Sequence, residues 1–472
     1  MKAIKYLVAG VLALSATLPI GAQDLKSQIE AISKVIIDNG GDLKATKAPV
    51  AEFLKTNKKN PTALAGLGYA YFEAKNEEEA LKYADMAIKA NKNAADGYLL
   101  KGDMARAKDD GGEAAMWYQT ATQFAPQDPN GYVKYARVYQ KVDPDGAVAM
   151  LEKLRSVNPG YPVDAAAGYM YSAANKLKSA MQYYDKVQDV SKLEDYILYD
   201  YVATAYVTGE YEKSQKLAKK GAELHPDYSS FNRIAFYSSH KLNDNQAALQ
   251  YADKLFNKKD TLKFIANDYQ FYGDVLYDLG RTDDAVKAYK KVQEVAPERT
   301  DIYKYISDVY LKSKDYDKAL ENYNKYLELL GSEANANHYR ALADIYVDQI
   351  DGANEATKQS LLKKADGVYQ DIEQKFDYAA DYAAYQRALI HYQMNSDLKK
   401  GEAKPYYEKY IELVEPKADK TASDQKKLAT SYQYLAVHYI QNDNVQRAKD
   451  YAAKVLQYRP DDETATQIIN LK

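Results

Sequence analysis

Five histidines, no cysteine and forty-seven tyrosines set the chemistry open to this chain of 472 residues. The histidines are His225, His240, His338, His391 and His438, and no two have the HExxH spacing that puts two metal ligands on one helical face. Each is expected to be a packing or surface residue. The absence of cysteine excludes disulfides, cysteine-held metals and thiol nucleophiles. No phosphate loop, dinucleotide fingerprint or nucleophile elbow occurs. Asp143-Pro144-Asp145-Gly146 has the look of a calcium loop, but the glutamate that would close it is out of register, so a turn is expected. Carboxylates stud the whole chain, and without a pocket none is raised above the rest as an acid–base pair. The chain is therefore not expected to be an enzyme, and it shows no need of a cofactor or metal.

The formal net charge is −3, with both signs interspersed. A nucleic-acid partner, which would demand a basic face, is not expected. The N-terminus stands apart. Lys2 and Lys5 precede an apolar stretch from Tyr6 to Leu18, and Pro19 to Gln23 is small and turn-like. This is the pattern of a secretory signal peptide over 1–22, with cleavage near Ala22 or Gln23. The competing reading, a membrane anchor, asks for a longer span. A lipid anchor of the bacterial lipoprotein kind would need a cysteine at the cleavage point. No other segment approaches the length of a span. The expected location is outside the cytoplasm: the periplasm or outer envelope of a Gram-negative bacterium.

The rest of the chain is organised by a recurrence of about 34 residues. Gly68 is followed at that interval by Gly102, Ala80 by Ala114 and Ala87 by Ala121. Later, Ala285 is followed by Ala319, Tyr289 by Tyr323 and Gly273 by Ser307, all at the same interval. Leu64, Leu67, Gly68 and Tyr71 fall on one helical stripe, and Ala80, Ala84 and Ala87 on a second. Small residues let two helix axes approach, and Tyr71 and Leu67 fill the gaps between them. Asn60-Pro61 and Asp128-Pro129 are helix openings, a capping side chain followed by a residue preset for the first turn. Gly111-Gly112 is expected to be the turn of its hairpin. A period of this length denotes stacked helical hairpins, each burying its apolar face on its neighbours.

At these residues the chain resembles the tetratricopeptide repeat family. The segment YQFYGDVLYDLGRTDDAVKAYKKVQEVAP, from Tyr269 to Pro297, follows the family pattern nearly throughout. The resemblance covers about 61 to 333 and continues with insertions. It implies an all-α, right-handed superhelical solenoid of ten or eleven stacked antiparallel helix hairpins. The expected organisation is a signal peptide over 1–22, an atypical helical hairpin over 23–60, a repeat array over 61–260 continued over 261–333, and irregular hairpins with a C-terminal cap over 334–472.

The resemblance also implies a concave groove lined by the first helix of each hairpin. Tyr69, Tyr169, Tyr199, Tyr206, Tyr237 and Tyr277 fall on that face, as do Asp103, Arg106, Arg137 and Arg233. Tyrosine serves two purposes here. It can pad the space between helices, as expected for Tyr139, Tyr171, Tyr289 and Tyr310, or it can line a groove. Family members that hold the C-terminal tails of cytosolic chaperones carry a Lys-and-Asn carboxylate clamp. The matching positions here are Ala65 and Tyr69, and Val133 and Arg137, so that ligand class is not expected. The function implied is binding of a protein or peptide in the groove. The alternative is a glycan or cell-wall binding module, since aromatic rings stack on sugars; the sole tryptophan, Trp117, falls on a second helix.

Overall fold

The computed structural model describes residues 20–258 and 260–471. The expected signal peptide lies outside them, apart from residues 20–22. Those begin the first helix, where a turn-like end was expected.

The described residues form 25 α-helices and no strand. In the first compact unit, up to Leu262, they are α1 (Ile20–Asp38), α2 (Leu43–Asn57), α3 (Pro61–Glu73), α4 (Glu77–Ala90), α5 (Asp96–Ala107), α6 (Gly111–Phe124), α7 (Pro129–Tyr139), α8 (Pro144–Val157), α9 (Val163–Ala173), α10 (Leu177–Tyr184), α11 (Asp195–Val207), α12 (Tyr211–Leu224), α13 (Ser230–Lys241) and α14 (Asn245–Phe256). In the second unit, from Lys263, they are α15 (Ala266–Asp278), α16 (Thr282–Val295), α17 (Ile302–Lys312), α18 (Tyr316–Leu330), α19 (Ala336–Asp348), α20 (Glu355–Lys375), α21 (Ala380–Met394), α22 (Lys404–Val414), α23 (Ala422–Gln441), α24 (Val445–Tyr458) and α25 (Glu463–Ile469). Within each unit successive helices pack antiparallel as hairpins. They make twelve pairs and a closing helix, more than the ten or eleven expected. Both pairs between Asn335 and Val414 are full hairpins, while in the opening pair α1 packs more closely against α3 than against α2.

The helix starts follow from local chemistry. The Asn60 side chain accepts the Ala63 N–H, and that of Asp143 the Gly146 N–H. Asp143-Pro144 is thus a cap and first turn, and Asp145 pairs with Lys176 at 2.9 Å. The hairpin turns are equally regular. Lys75 and Asp109, then Asn175, Gly209 and Asn243, then Gly280 and Lys314, adopt positive φ. Within each group the members stand one repeat apart. The next N–H returns to a carbonyl of the last helical turn, as Asn76 N–H does to Tyr71 at 2.9 Å and Asp110 N–H to Ala105 at 3.1 Å. This closes the helix by the Schellman arrangement. The turn expected at Gly111-Gly112 is therefore shifted. Asp109 takes the left-handed conformation, Asp110 caps the next helix, and the two glycines begin it.

The small-residue stripe is fully buried: Ala80, Ala84 and Ala87 expose 1% or less. Opposite it, glycines admit tyrosine rings. A Cβ at Gly102 would lie 2.4 Å from the Tyr118 ring, at Gly168 2.6 Å from Tyr184, and at Gly273 2.5 Å from Tyr289. Each ring is buried and packs against the backbone of the first helix. Of the four tyrosines expected to pad the fold, Tyr289 is buried in this way, while Tyr139, Tyr171 and Tyr310 are half-buried.

Candidate functional site

Helices α3, α5 and α7 place Tyr69, Asp103 and Arg137 in one row, at successive repeats. The row is a bonded structure. Tyr69 donates to Asp103 Oδ2 at 2.7 Å, Tyr118 donates to Oδ1 at 2.7 Å, and Lys134 Nζ lies 2.6 and 2.8 Å from the two oxygens. Asp103 is thus buried and linked to side chains of the hairpins before and after its own. Burial, reinforced by the Asp103 charge, holds the Tyr69 and Tyr118 hydroxyls well above the usual phenol range, so both stay donors. Further along, Tyr184 plays the same part toward Asp200, which also accepts from Ser172 at 3.0 Å. Burial pushes the Asp200 carboxyl up, against those hydrogen bonds. The acidic groups of this face are consequently engaged by hydroxyls and Lys134.

The cations and rings are more accessible. Arg106 and Arg137 are exposed. Arg137 donates from Nη2 to the Tyr196 hydroxyl at 3.3 Å, joining α7 to α11. Tyr196 is 39% exposed and meets Tyr169 edge-on at 5.4 Å. Burial pushes the nearby Tyr161 hydroxyl up to about 12, with Tyr196 adding to the rise and Arg137 opposing it. Tyr199 lies 5.6 Å from Tyr228 and 5.9 Å from Phe231, and feels the Arg233 charge. Tyr206 lies 5.5 Å from Tyr211 and 6.1 Å from Tyr237. Tyr237 itself is buried at 7% exposure, so its ring backs Tyr206.

The candidates of the first unit thus fall into three local groups: Tyr69 and Asp103, with Arg106 beside the Tyr118 hydroxyl that donates to Asp103; Arg137 with Tyr169; and Tyr199, Arg233, Tyr206 and Tyr237 on α11 and α13. Tyr277 belongs to the second unit, where Lys312 Nζ covers its ring at 4.0 Å and donates to its carbonyl at 2.8 Å. Sequence reasoning missed Tyr196, the link between Arg137 and Tyr169. Its signal was the spacing: Tyr196 precedes Tyr199 by one helical turn. It also missed a cation–tyrosine row on α19, α21 and α23, where Arg340 and Lys427 lie 5.8 and 5.7 Å from the Tyr382 ring centre and the repeat register is hardest to follow.

Among the described residues no three His, Asp or Glu side chains gather as a metal site. His438 Nδ1 lies 2.6 Å from the Leu398 carbonyl. His391 stacks on Tyr406 at 4.1 Å and lies 3.4 Å from Asp366. Burial raises the Asp366 carboxyl, but His391 and Arg387 outweigh it and hold the group below the usual range. Near the start of α16, Asp284 and Asp315 are paired with Arg281 and Lys318, at 2.7 and 2.6 Å. The Trp117 ring is covered by Lys101 Nζ at 4.5 Å, and its indole N–H donates to Glu113 at 3.1 Å. Among the described residues no helix is long and apolar enough to cross a membrane.

The sequence matches the family described as tetratricopeptide repeat over residues 48–95, 78–129 and 273–348. Similar solved structures include the C-terminal part of a TPR repeat-containing protein from Cytophaga hutchinsonii, at 19% identity and TM-score 0.44, over 58% of this chain and 100% of that one. A tetratricopeptide repeat protein from Parabacteroides merdae is 16% identical at TM-score 0.32, over 53% of this chain and 98% of that one. Pseudomonas aeruginosa pilF is 14% identical at TM-score 0.36, over 47% and 98%. No protein of curated function matches.

Proposed function

From tetratricopeptide repeats at residues 48–129 and 273–348, we propose that this chain is an exported scaffold that binds a protein or peptide through the first-helix face of its first unit. The observation that carries the reading is the Arg137–Tyr196–Tyr169 link. It presents an exposed guanidinium and a partly exposed phenol across several hairpins at once. Tyr199 with Arg233, and Tyr206 backed by Tyr237, continue the same chemistry on α11 and α13. Tyrosine and arginine are the side chains that most often carry interface energy, because they join large area to polar ends. Stacked repeats offer such side chains as one extended surface.

The test is affinity capture from the envelope fraction with the chain from Gln23 onward, as wild type and as the Tyr206→Ala, Arg233→Ala double variant. Capture of the partner identified with wild type should fall by an order of magnitude or more, on the order of 2 kcal/mol, with helicity and melting temperature little changed. Undiminished capture would mean that binding lies elsewhere on the chain. Export is tested separately. The basic, apolar and small-residue start supports a mature N-terminus near Gln23, and N-terminal sequencing of native protein that finds Met1 intact would overturn that part of the reading.

A further inference from the structure

In the first unit, α12, α13 and α14 enclose a cleft of about 730 Å³. Lys219 and Glu223 of α12, Asn232 of α13, and Gln250 and Lys254 of α14 line it. None of Tyr199, Tyr206, Arg233 and Tyr237 does, so the cleft is a surface separate from the first-helix face. The joint after α14 closes one end. It runs longer than the joint after α16, and Asp260 pins it. The Asp260 carboxylate accepts the Ser229 N–H at 2.9 Å and pairs with Lys258 at 3.0 Å.

One polar atom of the cleft lacks its bond. Asn232 Oδ1 is buried and, among the described residues, accepts no hydrogen bond. A buried acceptor left unmet is a cost to the fold, and this one belongs to a residue that lines an open cleft. Asn257, on the rim, uses its amide N–H on the Asp253 carbonyl at 2.8 Å, which leaves its oxygen to accept. The charges cancel. Among the described residues of the lining, Lys219, Lys254 and Lys258 stand against Glu223, Asp227 and Asp260. Apolar surface is scarce: Ala222, Pro226 and the Tyr251 ring, which Lys254 Nζ covers at 5.3 Å.

We propose that this cleft binds a short neutral oligosaccharide, with Asn232 Oδ1 and the Asn257 oxygen accepting from sugar hydroxyls, and Gln250 and Lys254 donating to them. The volume is that of a small-ligand site. A hydroxyl both donates and accepts, so a sugar meets a wall of mixed donors and acceptors and brings no charge to desolvate. A peptide fits less well. Its main chain also donates, but its side chains would find only Ala222, Pro226 and a covered ring. An anion fits less well, because Glu223 and Asp227 lie among the cations.

Saturation-transfer NMR with the full chain tests this, using maltotriose, cellotriose and triacetylchitotriose. The cleft reads hydroxyls rather than one linkage, so at least one of these sugars should receive saturation. Asn232→Leu should raise the Kd of that sugar about tenfold, as loss of a buried hydrogen bond implies. The urea midpoint of this variant should equal or exceed that of wild type, because a side chain of similar size removes the unmet acceptor. Gln250→Ala with Lys254→Ala repeats the test at exposed positions; it should also raise the Kd, and it decides the matter where the first variant folds poorly. Saturation of none of the sugars, wild-type affinity in both variants, or tighter binding of a peptide of Gly, Ser and Asn would overturn the proposal.

Discussion

Gly273→Leu should unfold the second unit at a much lower urea concentration than wild type, while Asp283→Ala should leave the midpoint almost unmoved. The glycine lies where α15 meets the Tyr289 ring of α16. A Cβ there would sit 2.5, 2.7 and 2.9 Å from three ring atoms. The ring cannot yield cheaply. Tyr289 is 2% exposed, stacks on Tyr305 at 5.6 Å, and donates to Asp274 Oδ1 at 2.6 Å. Overpacking costs about 1–3 kcal/mol. Displacing the ring also forfeits a hydrogen bond to a charged acceptor, worth about 1.5–3 kcal/mol. Because each hairpin is stable only against its neighbours, the damage passes along the stack. Asp283 is exposed in the first turn of α16, where it complements the helix dipole by at most about 1 kcal/mol. Equal midpoints for Gly273→Leu and wild type would show that the two helices do not approach at this glycine.

The same glycine–tyrosine contact explains why the fold was legible. Gly102 with Tyr118, Gly168 with Tyr184 and Gly273 with Tyr289 repeat one steric solution. A contact that recurs leaves a period in the sequence, and capping residues such as Asn60 and Asp143 mark where each helix begins. Turns were less legible. Asp109 and Lys75 adopt a left-handed conformation more usual for glycine, so Gly111 and Gly112 drew attention that belonged two residues earlier. The candidate surface was legible only as a set of positions. Tyrosine serves equally as padding and as surface, and nothing local separates Tyr237, which is buried, from Tyr196, which is 39% exposed. The cation–tyrosine row on α19, α21 and α23 depends on contacts between hairpins of unequal length, and these leave no fixed spacing to find.

The Asp103 tie is the sharpest case of that ambiguity, and its removal should produce a large loss of stability rather than a loss of binding. The residue shares a row with Tyr69 and Arg137, so position alone suits it to a partner. Its contacts say otherwise. The carboxylate is 5% exposed, and both oxygens are occupied by Tyr69, Tyr118 and Lys134 from three successive hairpins. Asp103→Ala would leave two buried hydroxyls without their acceptor and an ammonium, itself 19% exposed, without its counter-charge. Deleting one member of a buried ion pair costs about 3–5 kcal/mol. Asp103→Asn should cost less, since its amide oxygen still accepts from one tyrosine. Lys134→Met combined with Asp103→Leu should recover only the share owed to the ammonium, because the apolar pair escapes its desolvation penalty while the Tyr69 and Tyr118 hydroxyls still lack an acceptor. Urea melts of the three variants check the order. A wild-type midpoint for Asp103→Ala, together with weakened partner capture, would move Asp103 from the structural tie to the binding surface. The expected result is the reverse: a lowered midpoint, and capture by the fraction still folded that is unchanged.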